Sequence, residues 1–271
     1  MIGIIGNGFV GNAVYQSVRD KVKTYVYDVD TNRSLNKYEE TVKQKLVFVC
    51  LPTPMRMDGS CDLSLLDEFF ANAPEYDFDE DTNPTYIIKS TVPIGTTRSY
   101  SDRYCKTIVH NPEFLTARNA VNDFKEQRRI IIGSKDYEGN ELAQFYRNHW
   151  YDVDIISMSS DESEAVKYFS NTFLAYKVAY FNKIYDVCQK AKLDYDKVRR
   201  GVVSDERIGE SHSEVPGIDN DRGFGGTCFP KDINALIVQM ESFGVDASML
   251  REVWKYNQEI RTLIDLSLIH I

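Results

Sequence analysis

Seven apolar runs of three to five residues, at 2–5, 24–27, 46–50, 85–89, 108–110, 129–132 and 153–156, recur through the first 157 residues. Several are separated by stretches with helical patterning, at 10–19, 63–71, 96–105 and 138–149. Strands that are apolar throughout need cover on both faces, and helices between them supply it. The pattern therefore predicts an α/β fold whose N-terminal domain is a doubly wound, Rossmann-type parallel sheet. The acidic segment 74–84 reads as a solvated loop.

Beyond residue 157 the strand signal stops. Ala165, Phe169, Phe173, Lys177, Tyr180 and Ile184 recur three or four apart in about 30 residues without Gly or Pro, which predicts one long helix. Further helices are expected at 194–203, 231–243 and 247–268. The expected organisation is residues 1–157 as a dinucleotide-binding domain and residues 158–271 as an all-α domain built on the long helix. A helix of that length needs more cover than a small domain supplies, so a homodimer through it is expected.

Composition excludes several classes. With 32 basic and 41 acidic residues the net charge is −9, against a general binder of nucleic acid or of anionic membrane. Five cysteines, an odd number without a CxxC pair, suit neither a disulfide framework nor a zinc ribbon and point to a reducing, cytoplasmic setting. No apolar run approaches the roughly 20 residues of a membrane span. The apolar run at 2–5 opens the chain at once, so a soluble protein without a leader is expected. His110, His149, His212 and His270 lack metal-ligand spacing, and no metal is expected.

Three motifs carry chemistry. Gly6-Asn7-Gly8-Phe9-Val10-Gly11 follows the first strand and opens a helix: Gly6 for the tight turn, Gly8 for approach of a pyrophosphate, Gly11 for helix packing. The second strand ends at Asp28, seventeen residues after Gly11, where a carboxylate accepts from an adenosine ribose diol and repels a 2′-phosphate, favouring NAD over NADP. In Gly223-Phe224-Gly225-Gly226-Thr227-Cys228-Phe229-Pro230-Lys231-Asp232, Cys228 precedes a helix with Lys231 close by, two influences that lower a thiol pKa. Asp232, one turn on, can orient a hydroxyl or water beside the sulfur. Cys50, Cys61, Cys105 and Cys188 read as small structural hydrophobes. Lys167 and Asn171, at i and i+4, share one face of the long helix and can aim an ammonium and an amide at an oxyanion.

These motifs stand in one order with Leu51-Pro52-Thr53-Pro54, Asp58-Gly59, Asp62-Leu63-Ser64, Lys89-Ser90-Thr91-Val92-Pro93, Gly95-Thr96-Thr97 and Asn111-Pro112-Glu113-Phe114-Leu115. From residue 1 to about 260 the chain resembles the nucleotide-sugar 6-dehydrogenases, which act on UDP-glucose, UDP-N-acetyl-hexosamines and GDP-mannose. The resemblance implies oxidation of a sugar C6 alcohol to the carboxylate with two NAD+. It implies Cys228 as nucleophile, Lys167 and Asn171 as oxyanion donors, Thr91 and Asp232 as holders of the water, and Glu113 as a base. For the cofactor it implies Gly6, Gly8, Phe9, Val10, Gly11, Asp28, Arg33, Thr53, Thr91 and Lys231. For the nucleotide sugar it implies Glu113, Phe114, Leu115, Lys167, Asn171, Phe224 and Gly225, with Arg207 reaching the site from a neighbouring subunit.

Two departures from the family stand out. Only 24 residues separate Asp28 from Thr53, about half the usual connection, so a strand-helix portion is expected to be trimmed. The family also continues past the equivalent of Trp254 to Glu259 into a second Rossmann-like domain, whereas this sequence ends at Ile271. The expectation is a chain limited to the cofactor and helical domains. Leu263, Ile264, Leu266, Leu268, Ile269 and Ile271 then either await a partner or bury against the chain's own helices. Two alternatives remain open: a 3-hydroxyacid dehydrogenase, against which Cys228 and the Asn111 to Leu115 motif count, and an NAD-binding assembly protein without turnover.

Overall fold

The computed structural model describes residues 1–75, 83–116, 118–135 and 139–262. They form two compact units, Met1–Thr53 with Leu63–Lys167 and Pro54–Asp62 with Tyr168–Ile271.

The first unit is a seven-stranded sheet in the order β2-β1-β3-β4-β5-β6-β7. The strands are β1 (Ile2–Ile5), β2 (Thr24–Tyr27), β3 (Leu46–Val49), β4 (Thr85–Ile88), β5 (Ile108–His110), β6 (Arg129–Gly133) and β7 (Asp154–Met158). The helices are α1 (Phe9–Val18), α2 (Tyr38–Thr41), α3 (Ser64–Asn72), α4 (Thr96–Tyr104), α5 (Ala120–Lys125), α6 (Asn140–His149) and the first turns of α7 (Ser160–Ala191). β1, β3, β4 and β5 are buried throughout, so each face of the sheet has its own core. Ile4, Phe48, Ile87 and Val109 pack with Val14 and Val18 of α1, Phe124 of α5 and Phe145, Tyr146 and Trp150 at α6. Ile5, Val47, Val49 and Ile88 pack with Leu66, Phe69 and Phe70 of α3 and Tyr100 of α4. Each such side chain, fully buried, contributes about 1.5–3 kcal/mol.

The sheet is not parallel throughout, as the apolar runs suggested. β1 to β5 are parallel, but β5 meets β6 antiparallel at His110 and Gly133, and β7 follows β6 in parallel. A parallel neighbour needs a crossover that carries the chain back along the sheet. Between β5 and β6 the described residues hold only α5, six residues long with a rise of about 9 Å, and β6 starts at the end where β5 finishes. Burial shows in a sequence, whereas strand direction does not.

The short link from Asp28 to Thr53 has a topological consequence. After β2 the chain passes through α2 straight to β3, on the far side of β1, and among the described residues no strand lies outside β2. The exposed edge is covered by the loop that follows it. Leu35 N and Asn36 N donate to Val26 O, and Val26 N donates to Asn36 Oδ1.

The expected boundary at 157 also moves. The first two turns of α7 belong to the sheet unit because Glu164 accepts from Gly95 N at 2.6 Å and Thr97 N at 2.7 Å, and Ser163 Oγ lies 2.8 Å from His110 Nδ1. Residues 54–62, bridged between Met55 and Cys61, join the second unit, where Gly59 lies against Asn234 and Val238. The rest of that unit is helical among the described residues: α7 from Tyr168, α8 (Tyr195–Val203), α9 (Phe229–Ser242) and α10 (Ser248–Ile260). Phe181, Cys188 and Tyr195 form part of its core, with Ile184, Val198 and Val202. The last helix stops at Ile260, short of the expected 268, because Arg261 turns extended. The apolar residues from Leu263 onward and most of the acidic segment 74–84 lie outside the described residues.

Candidate active site

In the sheet unit, the loop from Gly6 to Gly11 sits where the strand order reverses between β1 and β3, the position at which open α/β sheets take ligands. Gly6 has φ +86°, in the left-handed region. A Cβ on Gly11 would stand 1.8 Å from Gly6 O, so α1 starts in contact with the turn that precedes it. At Gly8 an added Cβ would meet nothing within 4 Å, and the backbone there faces open space at the head of α1. That is the cradle a dinucleotide pyrophosphate requires, with Phe9 and Val10 in the first helical turn.

Asp28 ends β2 beside this loop: Asn7 N donates to its Oδ2 at 2.5 Å and Asp30 N to its Oδ1 at 2.9 Å. Arg33 pairs with Asp30 at 3.3 Å, and its carbonyl accepts from Asn7 Nδ2 at 2.7 Å, which ties its loop to the glycine turn. At the ends of β3 and β4, Thr53 Oγ1 donates to Thr91 O at 2.8 Å, so these two expected cofactor residues are adjacent and buried. The arrangement fits NAD.

Beyond β5 the chain turns through Asn111-Pro112-Glu113. Lys167 Nζ donates to Glu113 O at 2.5 Å and to Oε1 at 3.0 Å, in an ion pair almost wholly buried, while Leu115 N donates to Oε2 at 2.6 Å. Phe114 lies between cations, with Arg129 4.6 Å and Lys167 5.3 Å from its ring centre. Glu113, Phe114, Leu115 and Lys167 are thus brought together. Glu113, expected as a base, is already engaged by an ammonium and an amide. Buried Lys89 and His110 and half-buried Cys50, to which sequence reading assigned no role in the site, lie near it. Burial lowers Lys89 to about 8 and pushes the Cys50 thiol up to about 12. His110 is lowered to about 3, chiefly by burial.

In the helical unit, Cys228 occupies the N-cap position of α9, exposed, with Pro230 in the first turn. Thr227 Oγ1 lies 3.8 Å from its sulfur. Asp232 is buried and uses both oxygens: Asn171 Nδ2 donates to Oδ2 at 2.6 Å and Lys231 Nζ to Oδ1 at 2.5 Å. Burial is the largest influence and opposes the Lys231 charge, but the Asp232 carboxylate, with smaller charge interactions from the Cys61 and Cys228 sulfurs, outweighs it and raises the lysine pKa. Lys231, expected at the cofactor, therefore sits as a cation beside the thiol. All five cysteines are thiols.

The Phe224 ring is buried between Phe229 and Trp254, and the residue's backbone is taken in both directions by Asn257, which accepts from Phe224 N at 2.7 Å and donates to Phe224 O at 2.9 Å. Arg261 packs on Gly225 and donates to Arg222 O. Phe224 and Gly225 are thus held as a loop by Asn257 and Arg261, neither of which was singled out. The available signal was one Asn on the buried face of α10 beside Leu250, Val253 and Tyr256. Arg207 is exposed, and among the described residues its side chain bonds only to Asp205, at 2.6 Å. The structure does not bring it to the Cys228 cluster.

Comparison with known proteins agrees with this geometry. Residues 21–150 match the NAD binding domain of the UDP-glucose/GDP-mannose dehydrogenase family, and residues 161–259 match its central domain. A UDP-glucose 6-dehydrogenase of Pseudomonas aeruginosa is 35% identical over 236 residues, which cover 81% of this chain and 50% of that protein. One of Campylobacter jejuni is 31% identical over 288 residues, covering 95% of this chain and 72% of that protein. The structure of a UDP-glucose dehydrogenase from Pyrobaculum islandicum aligns with TM-score 0.80 at 27% identity, over 95% of this chain and 68% of that one. The chain spans about half the length of the Pseudomonas relative and of the Bacillus subtilis ones. With two domain models in register and the cofactor cradle in place, the chain belongs to the UDP-glucose/GDP-mannose dehydrogenase family.

Proposed function

We propose that this chain provides the NAD-binding and catalytic core of a nucleotide-sugar 6-dehydrogenase that oxidises the C6 alcohol of a UDP-glucose-like substrate to the carboxylate. The observation that carries the reading is the exposed Cys228 thiol at the head of α9, with Lys231 beside it and Asp232 held by Asn171. An alcohol dehydrogenase that stops at the aldehyde has no use for a nucleophile there, whereas one that proceeds to the acid does.

NAD+, when bound, accepts the hydride in each of two oxidations. In the first, the C6 hydroxyl gives up its proton and C6 its hydride. The Cys228 sulfur then bonds to the aldehyde carbon and the oxygen takes a proton, giving a thiohemiacetal. Loss of the second hydride and of that proton leaves a thioester, which one water cleaves to the carboxylate and the thiol. The balance is one alcohol, one water and two NAD+ to one carboxylate, two NADH and three protons. Lys167 and Asn171 stabilise the negative oxygen in these steps, Thr91 and Asp232 hold the water, and Glu113 accepts its proton. Phe114 and Leu115 line the sugar.

We also propose a cytoplasmic homodimer, consistent with five thiols and with Phe169, Phe173, Tyr176, Tyr180 and Val187 exposed along α7. Lys177 of the same helix donates to Ile208 O and Gly209 O, which ties the Arg207 loop to that stripe and fits a role for Arg207 in the neighbouring subunit.

The deciding experiment measures NADH and acid formed from a panel of UDP- and GDP-sugars. Two NADH per acid, abolished in Cys228→Ala, are expected. Undiminished acid from that variant refutes the covalent route, and NAD binding without turnover favours an assembly role.

A further inference from the structure

Lys89 directly follows β4 and is 2% exposed, yet among the described residues it forms no ion pair within 4 Å. Its ammonium donates to Asn111 Oδ1 at 2.9 Å and to Pro112 O at 3.4 Å, and lies 5.4 Å from the Phe124 ring centre. Asn111 is a hub: its backbone N donates to Ile88 O, its Nδ2 to Ile131 O at 2.7 Å, and its Oδ1 also accepts from Tyr146 at 2.6 Å. The next residue but one is Glu113, gripped by Lys167. Asn111-Pro112-Glu113 therefore runs between two buried ammonium groups, of which only Lys167 pairs with the Glu113 carboxylate.

Burying a cation without a carboxylate partner is costly, and a position that only needed filling would be served by Met or Leu. What the ammonium adds is direction. It fixes one amide oxygen and one carbonyl immediately before Glu113, the residue whose oxygen must meet Lys167. We infer that Lys89 is a positioning residue, holding Asn111-Pro112-Glu113 at the height where Glu113 engages Lys167. The inference rests on the proposed dehydrogenase reading for its kinetic consequence alone.

The groups that face Lys89 are Cys50, Glu113, Lys167 and His110, with the Tyr146 hydroxyl on the same amide oxygen. Burial is the largest influence on its proton, Cys50 and Glu113 favour the charge and Lys167 opposes it, which brings it to about 8. Its grip on the segment is therefore strongest below that pH and weakens above it.

The test uses Lys89→Met, close in volume, in the full chain. Its crystal structure should show Lys167 Nζ more than about 4 Å from Glu113 Oε1, beyond the ordinary ion-pair limit. On the best substrate of the panel kcat should fall about tenfold or more while NAD affinity stays within about twofold, since the glycine turn is untouched. An unchanged ion pair together with kcat within twofold overturns the inference. If Lys89→Met does not fold, wild-type crystal structures below and above the Lys89 value of about 8 decide: Lys167 Nζ should stand farther from Glu113 Oε1 at the higher pH, and an unchanged distance overturns the inference. If no sugar nucleotide is oxidised, the dehydrogenase reading fails, while the ion-pair distance still tests the role of Lys89.

Discussion

The Asn171 amide donates to Asp232 Oδ2 at 2.6 Å, and Lys231 takes the other oxygen of the same buried carboxylate. One charge thus fixes the long helix α7 against the head of α9, where Cys228 begins the helix. The lysine depends on it: burial is the largest single influence on the Lys231 ammonium and opposes its charge, and Asp232 leads the groups that together reverse it.

Replacing Asp232 by Ala should therefore cost stability as well as chemistry. Removing one member of a buried pair strands the other charge, and about 3–5 kcal/mol is typical. Urea denaturation should show a loss near the lower end, because Lys231 keeps some exposure, and Asp232→Asn should lose less since it still accepts from one neighbour. A midpoint unchanged for both variants would show that the pair carries no net stability.

The glycine turn separates folding from binding. At Gly11 an added methyl meets backbone oxygen at 1.8 Å, so Gly11→Ala should lower stability by about 2 kcal/mol or more through overpacking against a turn that cannot move away. At Gly8 the methyl meets nothing in the protein and would enter the open space proposed for the pyrophosphate. Gly8→Ala should melt like the parent yet bind NAD at least about tenfold more weakly by titration calorimetry, the loss of one good contact. Equal NAD affinity for Gly8→Ala and the parent would place the pyrophosphate elsewhere.

The same contrast explains what the sequence could reveal. Apolar runs located the strands, most sharply β1, β3, β4 and β5, where burial on both faces excludes polar residues, and the turns and helix heads at Gly6, Asp28 and Cys228 were legible because each pattern needs a particular residue type at a particular spacing. α2 and α5, four and six residues long, escaped because one turn of helix leaves no period to detect. The antiparallel step at His110 and Gly133 escaped because it depends on the reach of a connection. Asn257 and Lys89 look like ordinary polar residues, and their partners, Phe224 33 residues earlier and Asn111 22 residues later, become visible only after folding.

Glu164 gives the fold a pH signature. Burial raises its carboxyl from 4.5 to about 7, although the Gly95 and Thr97 amides pull the other way. A folded pKa above the unfolded one means that this group's contribution is full below about 4.5 and is lost as pH rises through 7. The shift corresponds to roughly 3 kcal/mol. Thermal unfolding from pH 4.5 to 8 should show wild type losing stability relative to Glu164→Gln across that window. A gap that stays constant or moves the other way would mean that the two amide donors outweigh burial.

The exposed stripe on α7 links assembly to catalysis. Phe173 is 65% and Tyr180 49% exposed, two turns apart, and Lys177 between them holds the Arg207 loop. If this face pairs two copies, Phe173→Glu with Tyr180→Glu should convert the dimer to a 31.2 kDa monomer in sedimentation equilibrium, with loss of turnover at an unchanged NAD affinity. Arg207 permits a sharper test, because two inactive variants can complement. Mixed after dissociation, Arg207→Ala and Cys228→Ala chains pair at random, and half the dimers are mixed. If Arg207 serves the neighbouring site, each mixed dimer holds one site with both residues intact, and about a quarter of wild-type activity should return. If Arg207 serves its own chain, every site in the mixture lacks one residue and activity stays at the level of the separate variants.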